Sequence, residues 1–212
     1  MAVKMKRIIS SFVFTLIIVV SFSQTIDTII TNSIYKSYFN YKTHNPLFVG
    51  YILYKGGGEC SRAKMRFTTN GLAQSAKAKD YAHSGYDIGH MANAEDFAGD
   101  CEKEKQTFYF YNALPLRPEL NRGCWSKIEA KIRKQSQTDS LLIVCGGYQF
   151  DKKIGSIAVP SYCFKIVKNT SKRVINCYLF PNDSTNTYQE IELSKLIKQI
   201  PFGNKILKEF NL

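Results

Sequence analysis

Three apolar, β-branched runs, Leu141 to Cys145, Ile157 to Lys168 and Arg173 to Phe180, follow one another with only polar breaks between them. Runs of this composition and length read as strands. One helical pattern stands before them. In residues 121–135, Trp125, Ile128 and Ile132 recur at i, i+3 and i+7, and Asn121 lies near the start, which is the apolar face and entry of an amphipathic helix. Pro46 to Tyr54 is a further strand, ended by Gly56-Gly57-Gly58. Residues 60–85 are basic and polar, broken by Gly71 and Gly85, and read as a long loop. Thr107 to Leu114 is aromatic and strand-like or extended, and Tyr188 to Ile200 is expected as a terminal helix. Strands and helices do not alternate, so the pattern favours an α+β layered fold over a doubly wound parallel sheet. With 44% apolar residues, 14 Phe and 13 Tyr, a sizeable core is available.

The first residues follow a different pattern. Lys4, Lys6 and Arg7 precede an uncharged apolar stretch, Ile8 to Phe22, and Ser21 and Ser23 then supply small residues ahead of Gln24. This is the pattern of a secretory signal peptide over residues 1–23, with residues 24–212 as the mature unit. A retained anchor is the alternative, but the stretch is short of the roughly 20 residues that span a bilayer. Taking Lys4, Lys6 and Arg7 from the 29 basic residues leaves 26 against 17 acidic, a net of +9. Such a surface favours polyanions. All six cysteines, Cys60, Cys101, Cys124, Cys145, Cys163 and Cys177, lie beyond the signal, and an even number in an exported chain suggests disulfides. Cys163–Cys177 is the expected pair, because neighbouring strand-like runs carry them, and Cys101–Cys124 the second. No CxxC pair occurs, which disfavours a zinc cluster.

Phosphodiester cleavage requires a base for water, charge neutralisation at the phosphoryl group and help for the leaving oxygen. A neutral histidine suits the first task. A hard cation held by one or two protein oxygens suits the second, and arginines can clamp the other phosphate oxygens. The chain has three histidines. His90 lies in Asp87-x-Gly89-His90, followed by Ala92, Ala94 and Asp96-Phe97. Then come Phe108-Tyr109-x-x-Asn112-Ala113-x-Pro115, and Leu120-Asn121-Arg122-Gly123-x-Trp125 with Glu129 four residues on. Val159-Pro160-Ser161 to Lys165 and Phe180-Pro181-Asn182 extend the series.

This ordered set resembles the DNA/RNA non-specific endonuclease family, which includes secreted bacterial nucleases and mitochondrial endonuclease G. The resemblance runs from about Lys55 to the C-terminal helix. It implies a ββα-metal (His-Me finger) fold with a central antiparallel sheet flanked by helices. It implies that His90 is the general base, that Asn121 is the sole direct protein ligand of Mg²⁺ (Mn²⁺ as substitute), and that Glu129 holds metal-bound water. Asn112 would orient the histidine or its surroundings. Arg133 would be the basic residue one turn beyond the acid. Arg62, with Arg66 as the alternative, would contact phosphate ahead of the histidine motif. DNA and RNA bound through their phosphates are the implied substrates, with no stable membrane association.

One position departs from the family pattern. The motif is usually Asp-Arg-Gly-His, and Ile88 stands where that arginine contacts phosphate. Loss of such a contact costs several kcal/mol of transition-state stabilisation, so a displaced arginine such as Arg122 or Arg62 would have to serve. A secreted nucleic-acid-binding protein without catalysis is the competing reading. Taken singly, the residues have plainer roles. Asn121 can cap a helix, and Glu129 and Arg133 at i, i+4 can form an exposed ion pair. Asp87 can shape the turn into Gly89, and Glu95, Asp96 and Asp100 read as loop acids. Trp125 reads as core, and His44 and His83 as surface residues.

Overall fold

The structure, a computed structural model, describes residues 24–212; the signal-peptide expectation for residues 1–23 lies outside the described residues. The strands are β1 (Thr28–Thr31), β2 (Tyr35–Asn40), β3 (Asn45–Leu53), β4 (Asp87–His90), β5 (Ala113–Leu116), β6 (Leu141–Ile154), β7 (Ile157–Asn169), β8 (Ile175–Pro181) and β9 (Gln189–Glu190). The helices are α1 (Ala78–Tyr81), α2 (Cys101–Gln106), α3 (Pro118–Leu120), α4 (Ser126–Gln135), α5 (Leu193–Gln199) and α6 (Gly203–Phe210). Seven strands form one sheet in the order β1-β2-β3-β6-β7-β8-β9, and every pairing in it is antiparallel. β4 and β5 form a separate two-stranded ribbon.

Strand alternation divides the sheet into two faces. The registers Val49↔Cys145, Cys145↔Lys165 and Lys165↔Tyr178 place Tyr51, Ile143, Cys145, Lys165, Tyr178 and Phe180 on one face. That face meets α4: Trp125, which leads into the helix and is 1% exposed, packs edge-on against Phe180. The opposite face carries Phe48, Phe164, Ile166 and Leu179. There Phe48 stacks on Phe202, and the ring of Phe210 from α6 covers Gly50. The β6–β7 hairpin turns at Gly155, whose φ of +51° is a left-handed conformation that glycine adopts without steric cost. A side chain there would also run into Asp80, which accepts hydrogen bonds from the Ser156 backbone and hydroxyl.

The expected strands after residue 140 and at 46–54 are present, and β6 runs on beyond Cys145 to Ile154, where it pairs with the start of β7. The 60–85 loop holds only α1 and a short bridge, Thr68↔Tyr109. Within Thr107 to Leu114, Phe110–Asn112 form a 3₁₀ turn before β5 begins. The helix expected over Tyr188–Ile200 is present but shorter, as α5, with β9 ahead of it and a further helix, α6, beyond Pro201. β1, β2 and α2 carry no strong periodic signal in the sequence.

Neither expected disulfide forms. Cys163 lies opposite Phe180 and Cys177 opposite Ile166, so the two point to opposite faces of the sheet. Cys101 instead pairs with Cys60, joining the long loop to α2. Cys124, Cys145, Cys163 and Cys177 are buried free thiols.

Candidate active site

The β4–β5 ribbon sets His90 opposite Ala113 and Asp87 opposite Leu116. The chain then passes through α3 and a wide π turn, Asn121–Trp125, into α4. Asn121 and His90 are therefore presented by one strand–strand–helix unit. Gly123 breaks the turn with φ −103° and ψ −114°, and a side chain there would collide with the Asn186 amide, whose Oδ1 accepts from the Cys124 backbone N–H at 2.7 Å. Gly123→Ala is expected to cost about 1–3 kcal/mol by this overpacking; an unchanged urea-unfolding midpoint would contradict it.

Asn121 donates from Nδ2 to Asp87 Oδ2 at 3.0 Å. Only the amide nitrogen can donate, so this bond fixes the flip of the side chain, and Oδ1 accepts no hydrogen bond among the described residues. Arg122 closes on the same carboxylate, Nε at 2.9 Å and Nη2 at 2.7 Å. Partial burial pushes the Asp87 carboxyl up, but the bonds from Arg122 and Asn121 outweigh it and hold it below the usual range. Asp87 thus does more than shape a turn. It orients the amide expected to bind metal, a role that carries no local sequence signal because its partners lie 34 and 35 residues away. The Arg122 fork is engaged here rather than free for phosphate.

At the other end of β4, about 10 Å of strand away, the His90 ring lies between Phe67 (4.7 Å) and Phe108 (4.8 Å). Its Nε2 is enclosed without a partner among the described residues. Burial first, and the Arg62 charge second, push its pKa down to about 3. Asn112 is fully buried and makes no hydrogen bond to the ring among the described residues. It accepts from the Ala92 N–H and donates to the Ala92 and Thr107 carbonyls, which fixes the backbone just past His90. His83 is exposed, and His44 is half-buried with its Nδ1 against the Gln74 carbonyl.

Glu129 and Arg133 do not pair with each other, because the face of α4 that carries them is buried against different partners. Glu129 Oε1 accepts from Lys165 Nζ at 3.1 Å, and Lys165 is fully buried with its ammonium 3.7 Å over the Trp125 ring. Arg133 donates to Asp96 at 2.9 Å and to Asn93 at 3.3 Å. Asp96 is no loop acid: it is 5% exposed and also accepts from the Tyr51 hydroxyl. Burial outweighs the Arg133 charge and pushes its carboxyl up to about 6. Glu95 pairs with Arg62 at 2.9 Å, Asp100 caps α2, and Arg66 donates to the Ala63 and Met65 carbonyls. Ile88 packs in a satellite apolar cluster with Phe67, Ala76, Tyr81, Phe110 and Ile157.

Among the described residues no group of three or more His, Cys, Asp or Glu side chains could hold a metal. A zinc cage is therefore a poor fit. A hard divalent ion that keeps most of its waters and takes one amide oxygen fits the free Oδ1 of Asn121.

The sequence profile of the DNA/RNA non-specific endonuclease family matches residues 15–205. The chain belongs to the DNA/RNA non-specific endonuclease family. Among its relatives, mitochondrial endonuclease G of Bos taurus is 33% identical over 103 residues, covering 42% of this chain and 34% of that protein. Mitochondrial nuclease 1 of Schizosaccharomyces pombe is 27% identical over 177 residues, covering 70% and 55%. A nuclease of Nostoc sp. is 37% identical over 90 residues, covering 41% and 33%. The chain thus spans between a third and just over half of these relatives' lengths. The solved EndoG/EndoGI complex superposes with a TM-score of 0.70 at 21% identity, over 80% of this chain and 82% of that one. The ββα arrangement and antiparallel sheet are those of a non-specific endonuclease fold.

Proposed function

We propose that this family member is an exported, divalent-metal-dependent endonuclease that hydrolyses phosphodiester bonds in DNA and RNA. The observation that carries the reading is the Asn121 amide, locked by Asp87 with its oxygen free, on the same ββα unit as His90. Asn121 Oδ1 would hold Mg²⁺ directly, with Mn²⁺ as substitute, and Glu129, braced by Lys165, would hold its water shell. A bound Mg²⁺ supplies charge stabilisation at the phosphoryl group and the leaving oxygen. His90 takes the proton of the attacking water. With Nε2 enclosed, Nδ1 is the nitrogen left for that proton. Arg62 and Arg66 stand on the loop beside His90 for phosphate contact, and Arg133 braces α4 against the segment that follows His90. Recognition through phosphates rather than base edges gives little sequence preference.

Export from the cytoplasm, to the periplasm or the medium, is supported by the charged and apolar pattern of residues 1–23 and by the Cys60–Cys101 disulfide, since disulfides persist in oxidising compartments. Residues 24–212 would then be a single nuclease domain. Among the described residues no helix is long and apolar enough to cross a membrane.

The reading is tested by incubating plasmid DNA and total RNA with the protein in Mg²⁺, in Mn²⁺ and in excess EDTA. Cleavage of both substrates with either metal and none in chelator is expected; equal turnover in EDTA removes the metal from the proposal. Ile88 favours a second reading, a nucleic-acid-binding protein that has lost catalysis. DNA retarded on a gel but uncut in Mg²⁺ is its signature.

A further inference from the structure

Glu104 is a buried acid near the site that the proposed chemistry does not use. Its side chain is fully buried, and neither carboxylate oxygen accepts a hydrogen bond among the described residues. Its counter-charge is Arg62, whose Nε lies 3.7 Å from Oε1. Burying a carboxylate with one imperfectly placed partner costs several kcal/mol, so packing alone is a poor reason for an acid at this position. A second tether joins the same two segments: Cys101, one turn before Glu104 on α2, is bonded to Cys60, two residues before Arg62. Further along the loop, Thr68 is pinned by backbone bonds to Phe108 and Phe110, and Phe108 flanks His90. The loop that carries Arg62 is thereby fixed on both sides of that arginine. Glu95 holds the outer nitrogen, Nη2, at 2.9 Å from a half-exposed position that a phosphate oxygen can take over.

We infer that Glu104 is a positioning residue: from beneath, it aims the Arg62 guanidinium beside His90, supplying the phosphate clamp that Ile88 has removed from the histidine motif. The inference rests on the nuclease reading above and names the structural source of its missing cation. An acid under an arginine weakens the general attraction for phosphate while improving alignment, and misplacement by about 1 Å can cost as much as 10²-fold in rate. Loss of Glu104 therefore acts on kcat and not on KM. Arg62 is half-exposed and keeps Glu95 as a partner, so removing the buried Glu104 charge strands no buried cation and leaves stability unchanged or raised.

The test is a double-mutant cycle on the full chain, with kcat and KM for plasmid cleavage in Mg²⁺ and a urea-unfolding midpoint for each variant: wild type, Glu104→Gln, Arg62→Ala and both together. Expected are a kcat about tenfold lower for Glu104→Gln with KM not raised and the midpoint not lowered, and no further loss from Glu104→Gln once Arg62 is alanine. Unchanged kcat in Glu104→Gln, a midpoint that falls together with kcat, or additive losses in the double variant each overturn the assignment. A wild-type protein that does not cut at all overturns the nuclease reading itself, so the two failures are distinguishable.

Discussion

His90→Ala is expected to lower plasmid hydrolysis in Mg²⁺ by about 10²–10⁴-fold, the range a positioned general base contributes, while circular dichroism still reports a folded chain. The fold should survive because the enclosed Nε2 has no partner to lose among the described residues. The pH profile carries the sharper signature. Burial and then the Arg62 charge hold the imidazole at about 3 instead of its ordinary 6.5. A base must be unprotonated to act, so His90 stays competent down to about pH 3–4, and an activity limb near 6.5 would contradict this placement. Stability follows the same shift with a definite sign. Between 6.5 and 3 the unfolded chain binds a proton that folded His90 refuses, so this group's contribution to stability is lost as pH falls through that window and is intact above 6.5. In His90→Ala that part of the pH dependence should disappear from urea midpoints.

The second large effect concerns Lys165. Lys165→Met is expected to destabilise the fold by about 3–5 kcal/mol, the cost of stranding one member of a buried ion pair. The ammonium is fully buried, donates to Glu129 at 3.1 Å and sits 3.7 Å over Trp125, so its loss also removes a desolvated cation–π contact. Methionine fills much of the stem volume but leaves the buried Glu129 carboxylate without its cation, near a second buried acid, Asp96. Replacing both partners, Lys165→Met with Glu129→Gln, should recover most of the loss, because the penalty comes from the uncompensated charge rather than from the absence of a bond. Urea unfolding of the single and double variants measures this; a single-variant loss below about 1 kcal/mol would mean that water reaches the pair.

The chain ordered its strands, its helix at 126–135 and its histidine, asparagine and glutamate by local rules: β-branched runs, a 3.6-residue period and motif spacing. Those signals are short-range, so they carried the α+β class, the core position of Trp125 and the order of the site residues along the chain. They were silent wherever a residue's role depends on a distant partner. Glu129 and Arg133 look like one surface pair at i, i+4. In the fold each turns inward to a different charge, Lys165 and Asp96, because the sheet face beneath α4 is buried there. Asp87 looks like a turn residue until Asn121 and Arg122 close on it from across the ribbon. The cysteine pairing failed for the same reason, since strand adjacency does not say which face a side chain takes. Spacing along the chain determined which groups are present and in what order; tertiary packing alone decided their partners, because charge pairing, amide orientation and disulfide geometry act over a few ångströms of space and not over residues of sequence.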